Sequence, residues 1–394
     1  MIGISKLYCG TVQPGDPLRY ARRSGLLPSE LLQFSADKKP VVVWNCTQRC
    51  NLRCVHCYSA SDASSGQDEL TTADARAMID DLAGFGAAVL LFSGGEPLLR
   101  GDLLELIAHA RQAGLRAVLS SNGTKISPSL ARELAGAGLS YIGISLDGAS
   151  QRTNDRFRGR SGAFVAALDG MRNCQARGVK VGLRFTITAH NLAELPGVFE
   201  LIEREKIPRA CFYHLVAAGR GGEILDGELT GDQTRQAVDI ILEKTRALHE
   251  AGRAVEVLTV GNHADGPYLY MKLLAQNPAR AAEVYKLLQF NGGNSSGEGI
   301  GCISWDGSVS PDQFWRERVV GNIRDEPFSK IWTGQGSELL RQLRRRKELL
   351  QGRCQRCRFL DVCNGNLRAR AQAAGNGTWG DDPACYLSDE EISI

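Results

Sequence analysis

From residue 41 onward, short apolar runs alternate with stretches whose apolar positions recur at helical spacing, as expected of strands and helices wound around a parallel sheet. The runs at residues 41–44, 88–93, 116–121, 141–146, 181–188 and 211–216 read as strands. Between them, residues 72–85 follow a helical period and open on the capping residues Thr71 and Thr72, and residues 103–113 form a second helix that stops before Gly114. The connections are short, so these units form one domain, and in such arrangements the chemistry collects at the C-terminal strand ends. Six strands fall short of a closed eight-stranded barrel. The expected fold class is therefore α/β, a partial (β/α)6 TIM barrel.

A further strand-like run at residues 255–260 and helical material through residue 290 lead to the Gly/Asn/Ser-rich stretch 292–299, which reads as a loop and a boundary. After it come a hairpin around Asp306-Gly307, a helix over residues 328–350 and a cysteine-rich tail. The expected organisation is an N-terminal extension (1–37), the barrel (38–290) and a small C-terminal domain (291–394).

Composition narrows the function. With 394 residues, 43% hydrophobic and 23% charged, the chain can bury a sizeable core and still build a second small domain. Its 47 basic and 44 acidic residues balance too closely for a nucleic-acid partner. No apolar run approaches a membrane span and no basic leader precedes one, so the expected location is the cytoplasm. The twelve cysteines then point to metal ligation rather than disulfides. They bunch at two places: Cys46, Cys50, Cys54 and Cys57, then Cys354, Cys357, Cys363 and Cys385.

Cys50-Asn-Leu-Arg-Cys54-Val-His-Cys57 directly follows the first strand, so one loop presents three thiolates at a strand end. Soft thiolates suit iron-sulfur clusters, and three ligands leave one iron of a four-iron cluster free. A zinc knuckle completed by Cys46 or His56 is the competing reading. The loop resembles the CxxxCxxC signature of the radical S-adenosylmethionine (SAM) superfamily. Ser93-Gly94-Gly95-Glu96-Pro97 is similar to the family's GGEP segment, and Ser120-Ser-Asn122-Gly123 and Ile144-Ser145-Leu-Asp-Gly148 are similar to its segments after the third and fourth strands. The resemblance implies a [4Fe-4S] cluster on Cys50, Cys54 and Cys57. It further implies that SAM is bound by His56, Ser93, Gly94, Gly95, Glu96, Asn122 and Ser145.

The CxxCx5C run Cys354, Cys357, Cys363 with the distant Cys385 supplies four thiolates, enough for a second [4Fe-4S] cluster or for structural zinc. Arg353, Arg356 and Arg358 surround it and would offset a cluster's negative charge. The segment resembles the SPASM or twitch-like domains that hold auxiliary clusters in the superfamily, with Cys302 either a spare ligand or a substrate-facing thiol. Cys9, Cys46, Cys174 and Cys211 read as buried hydrophobes.

A closer resemblance, to the subgroup that modifies sirohaem-derived tetrapyrroles, rests on Phe212-Tyr-His-Leu-Val216 with Gly219-Arg-Gly-Gly222, on the loop 292–299, and on Ser310-Pro-Asp-Gln-Phe-Trp315 with Gly321-Asn-Ile323. Residues 1–10 and 35–44 are similar to members that remove acetate arms. The resemblance implies an iron tetrapyrrole substrate, 12,18-didecarboxysirohaem, that loses two acetate side chains to give Fe-coproporphyrin III. A flavodoxin- or ferredoxin-type electron donor is also implied. Removal of propionates in the haem d1 branch, and peptide modification by a SPASM maturase, are the alternatives. A flat macrocycle edged with carboxylates needs basic and aromatic neighbours, for which Arg220, His214, His263, Phe314 and Trp315 are the candidates.

Overall fold

The computed structural model describes residues 1–11, 39–64, 66, 68–224 and 227–393. The six expected barrel strands form and pair in parallel, each with the next: β2 (Val41–Thr47), β3 (Val89–Gly94), β4 (Arg116–Ser121), β5 (Tyr141–Ser145), β6 (Lys180–Ile187) and β7 (Arg209–His214). The run at 255–260 forms β8 (Glu256–Val260), a seventh parallel strand beside β7. β1 (Ile2–Gly3) closes that edge in antiparallel register, and the Ser5 hydroxyl, on the helix Ile4–Cys9, accepts a hydrogen bond from Val257 N at 2.6 Å. Of the expected N-terminal extension, residues 12–37 lie outside the described residues.

The opposite edge is not free. β9 (Ile300–Ile303) adds in parallel to β2, and β10 (Ser308–Ser310) and β11 (Gly321–Asn322) follow antiparallel. The described strands thus form one eleven-stranded sheet, which the C-terminal segment extends. The expected hairpin is β9–β10, turning at Asp306-Gly307 with Gly307 at φ +87°.

Local chemistry explains the helices. Thr71 and Asp74 form a reciprocal capping box at the start of Thr72–Phe85, and Leu103–Gln112 ends two residues before Gly114, which sits at φ +92°. The expected helix over 328–350 is broken into Phe328–Thr333, Glu338–Arg344 and a 3-10 turn at Arg346–Glu348. Gly334 and Gly336 interrupt it, and the Ser337 hydroxyl caps the restart by accepting from Leu340 N. Among the described residues no helix is long and apolar enough to cross a membrane.

The outward faces of the strands pack against the helices, as in the Phe199–Phe212 stack at 5.1 Å beside Phe185. Each fully buried side chain of this kind contributes about 1.5–3 kcal/mol. The inward faces carry smaller or polar residues, Ser93, Ser145, Arg184 and Thr186, and leave a cavity at the C-terminal strand ends.

Candidate active site

β2 ends in a register shift between Asn45 and Thr47, and the chain then turns into the cysteine loop. Three remote segments hold that loop. Cys50 N donates to Asp62 O at 2.8 Å, Val55 N donates to Phe157 O at 3.0 Å, and Gly94 and Gly95 press on its base. A Cβ on Gly95 would fall on the Arg49 carbonyl, so the glycines serve a close approach of two backbones. Gly95 N and Glu96 N donate to Thr47 O and Arg49 O, both at 2.8 Å.

Cys50, Cys54 and Cys57 line one cavity together with His56, Ser93, Gly94, Gly95, Asn122 and Ser145. Burial pushes the Cys50 thiol up to about 12 and raises Cys54 as well. Loading iron here therefore releases protons that the bare loop retains. Arg158 Nη1 lies 3.6 Å from Cys54 Sγ and supplies a donor and a positive charge to that sulfur. The donor set, three cysteines on one wall and polar strand ends on the others, fits a cluster with one open iron. Cys46 is fully buried behind β2, where its carbonyl accepts from Arg100, and does not line the cavity.

The SAM segments sort into liners and supports. Glu96 does not line the cavity: its buried carboxylate accepts from Asn122 N (2.8 Å), Ser121 Oγ (2.8 Å) and Leu98 N (3.1 Å), tying the end of β3 to the end of β4. His56 Nε2 faces Asp147 Oδ2 at 3.0 Å, and the same oxygen binds Arg158 Nη2 at 2.6 Å. Burial alone would raise Asp147, but Arg158 and His56 outweigh it and hold the carboxyl at about 2.

The substrate candidates divide. His214 and Phe314 line the cavity, and His214 Nε2 is 2.8 Å from Asp265 Oδ2, whose other oxygen accepts the Tyr386 hydroxyl at 2.8 Å. A carboxylate on both groups makes Nε2 the protonated nitrogen and fixes the ring. Arg220, His263 and Trp315 do not line the cavity. Arg220 is buried and donates to the Cys54 and Ser61 carbonyls at 2.9 and 3.0 Å, so it braces the cysteine loop. Trp315 packs fully buried beside Val216, Leu343 and Leu367, and buried His263 donates its backbone N–H to Asn366. Tyr58, Arg158, Arg184 and Thr186 line the cavity and escaped the sequence reading, while Tyr213 and Gln313 fell within quoted segments without being candidates. A charged residue inside the apolar run 181–188 was the available signal.

Cys354, Cys357, Cys363 and Cys385 surround a second, smaller cavity with Arg353, Phe359 and Leu387. All four thiols line this one cavity, whose other walls are largely apolar. A four-iron cluster fits that ring. Arg353 faces it while pairing with Asp389 at 2.6 Å, whereas Arg356 and Arg358 do not line it. Loop 292–299 holds the ring, with Gly293 against the Cys363 carbonyl and Asn294 N donating to it at 3.1 Å. Cys302 lies elsewhere, fully buried on β9, with Asn45 Nδ2 at 3.4 Å. Cys174 and Cys211 are buried as expected, while Cys9 is only half-buried.

Comparison with known proteins places these features in a lineage. Residues 44–202 match the model of the radical SAM superfamily, and residues 297–358 match that of an iron-sulfur cluster-binding domain, SPASM. The chain is 61% identical to the Fe-coproporphyrin III synthase of Methanosarcina barkeri, covering 100% of this chain and 99% of the relative. It is 44% identical to the pre-heme d1 synthase of Dinoroseobacter shibae, over 90% of this chain and 87% of that one. Among solved structures, Streptococcus suis SuiB bound to its precursor peptide SuiA shares the fold, with a TM-score of 0.69 at 15% identity over 88% of this chain and 76% of that one. With its cysteine loop after the first barrel strand, its GGEP segment and its C-terminal cysteine ring, the chain belongs to the radical SAM superfamily, whose members use a [4Fe-4S] cluster and SAM.

Proposed function

We propose that this enzyme removes the two acetate side chains of 12,18-didecarboxysirohaem to give Fe-coproporphyrin III. The observation that carries the reading is 61% identity to the Fe-coproporphyrin III synthase along the whole of both chains, against 44% for the pre-heme d1 synthase. Cys50, Cys54 and Cys57 hold the first cluster, and Cys354, Cys357, Cys363 and Cys385 hold the second. When loaded, the site gains from the reduced cluster and SAM the means to remove one hydrogen atom from a substrate side chain.

The chain's own residues bind and orient. Ser93, Gly94, Gly95, Asn122 and Ser145 form the polar rim for SAM, and Glu96 sets that rim by gripping Asn122 N and Ser121. His56 is held at the cavity wall by Asp147. Leu215, Val216 and Phe314 add apolar surface to the cavity wall for a macrocycle and keep water from the reacting centre. His214, fixed by Asp265, offers a ring nitrogen at that wall. Residues 38–290 serve as the catalytic barrel and 291–394 as the auxiliary domain; an external flavodoxin- or ferredoxin-type donor in the cytoplasm supplies electrons.

The test is an anaerobic incubation of the reconstituted, reduced protein with SAM and 12,18-didecarboxysirohaem, followed by mass spectrometry of the tetrapyrrole. Loss of two acetate arms supports the reading. Loss of propionates moves the enzyme to the haem d1 branch, and an unchanged tetrapyrrole refutes the substrate.

A further inference from the structure

Two arginines line the main cavity, and they differ in what neutralises them. Arg158 is paired with Asp147 at 2.6 Å and stands beside Cys54. Arg184, in the middle of β6, has no carboxylate partner among the described residues. Its guanidinium carbon lies 4.9 Å from the centre of the Tyr213 ring, and its other charged-capable neighbours are Tyr58, Tyr141 and Cys211. Burial pushes the hydroxyls of Tyr141 and Tyr213 upward, so these phenols are neutral and neither balances the arginine. A cation kept in a largely desolvated cavity without a counter-ion carries a heavy desolvation penalty. The site is therefore electrostatically incomplete.

The neighbouring strand is shaped around this side chain. Gly143 on β5 has an ordinary backbone conformation, so no turn requires glycine there. A Cβ at that position would lie 2.7 Å from Arg184 Cδ. The missing side chain is the room in which the arginine stem lies. Arg184 also sits beside Ser145 in register and lines the cavity with Thr186, Tyr213 and His214, whereas Arg158 stands against Cys54.

Resting on the tetrapyrrole reading, we propose that Arg184 is the anchor for a carboxylate side chain of the substrate, held from one face by Tyr213 and given its place by Gly143. A guanidinium is planar and always charged, and it binds a carboxylate through two parallel hydrogen bonds. One fixed side arm orients the rigid macrocycle, so a single buried anchor sets which arm meets the reacting centre. Arg158, at the cysteine loop, is left for the SAM end of the cavity.

The experiment compares the wild-type holoenzyme with Arg184→Gln, Arg184→Lys and Gly143→Ala. Binding of Fe-coproporphyrin III, and of its tetramethyl ester, is followed by absorption titration, and SAM binding by equilibrium dialysis. For the free acid, Arg184→Gln raises the dissociation constant by roughly 10- to 100-fold, the loss of one charge-assisted pair. It leaves the ester and SAM unchanged, and Arg184→Lys falls between. Gly143→Ala, which keeps the charge and displaces the stem, weakens the acid in the same direction and keeps the proposal testable if Arg184→Gln does not fold. Unchanged binding of the acid in both Arg184→Gln and Gly143→Ala overturns the proposal, as does a loss confined to SAM, which would assign Arg184 to the methionine carboxylate. If the wild type binds neither tetrapyrrole, the substrate reading itself fails and the anchor with it.

Discussion

Arg220 offers a sharp test of how the site is built. In the structure its Nε and Nη2 donate to the carbonyls of Cys54 and Ser61, and its backbone N–H donates to Cys57 O at 3.0 Å, so a segment some 160 positions later in the chain holds the cysteine loop closed. Arg220→Ala keeps the backbone bond and removes both side-chain bonds, leaving Cys54 O with only the longer bond from Cys57 N at 3.4 Å and taking from Ser61 O its charged donor. Hydrogen bonds from charged donors are each worth about 1.5–3 kcal/mol, so the closed loop loses on the order of 3–6 kcal/mol. Even about 3 kcal/mol shifts the loop's closing equilibrium by roughly two orders of magnitude. The expected outcome is a protein that folds but loads little iron at the first cluster, seen as reduced iron content and a diminished reduced-cluster signal in electron paramagnetic resonance. Tetrapyrrole binding should change far less than cluster loading. An Arg220→Ala protein with full cluster content and specifically lost tetrapyrrole binding would refute this reasoning and restore Arg220 as a substrate ligand.

Other outcomes follow from the same geometry. Cys54→Ala should abolish SAM cleavage together with its cluster signal, whereas Cys357→Ala should spare SAM cleavage and impair product formation, read as 5′-deoxyadenosine against tetrapyrrole product. Asp147→Asn leaves Arg158 and His56 without their shared carboxylate, and should lower stability to denaturant by about 3–5 kcal/mol. Glu96→Gln turns an amide N–H toward Asn122 N and should weaken SAM binding with a cost of about 1–3 kcal/mol, measurable by dialysis. Cys302→Ala should leave iron content unchanged, since that thiol faces Asn45 and not the C-terminal ring.

The strands from β2 to β7 were legible because each is a short apolar run bounded by turn residues, and the capping box at Thr71 and the Asp306-Gly307 turn declared themselves locally. The two cysteine groups stood out by spacing, but spacing alone left zinc open, and the iron-sulfur reading came from the resemblance to the family. What local pattern could not convey was long-range docking. The pairing of β9 with β2 joins segments more than 250 residues apart, and so does the seating of Ser5 on β8. For the same reason Arg220 misled: an arginine in a glycine-rich loop looks like a solvent-facing ligand, and only the folded chain shows it spent on carbonyls of the cysteine loop. Arg184 was hidden the other way, because in an apolar strand nothing local says which face looks inward. Gly143 beside it is the companion signal, meaningful only once the register between β5 and β6 is known.

The central claim is that the enzyme removes acetate arms from an iron tetrapyrrole. It is tested most directly by a single anaerobic time course with 12,18-didecarboxysirohaem and SAM, counting 5′-deoxyadenosine against each tetrapyrrole mass. The account predicts one 5′-deoxyadenosine for each acetate arm lost, through a one-arm intermediate to Fe-coproporphyrin III. Steady 5′-deoxyadenosine formation with all acetate arms retained would contradict it.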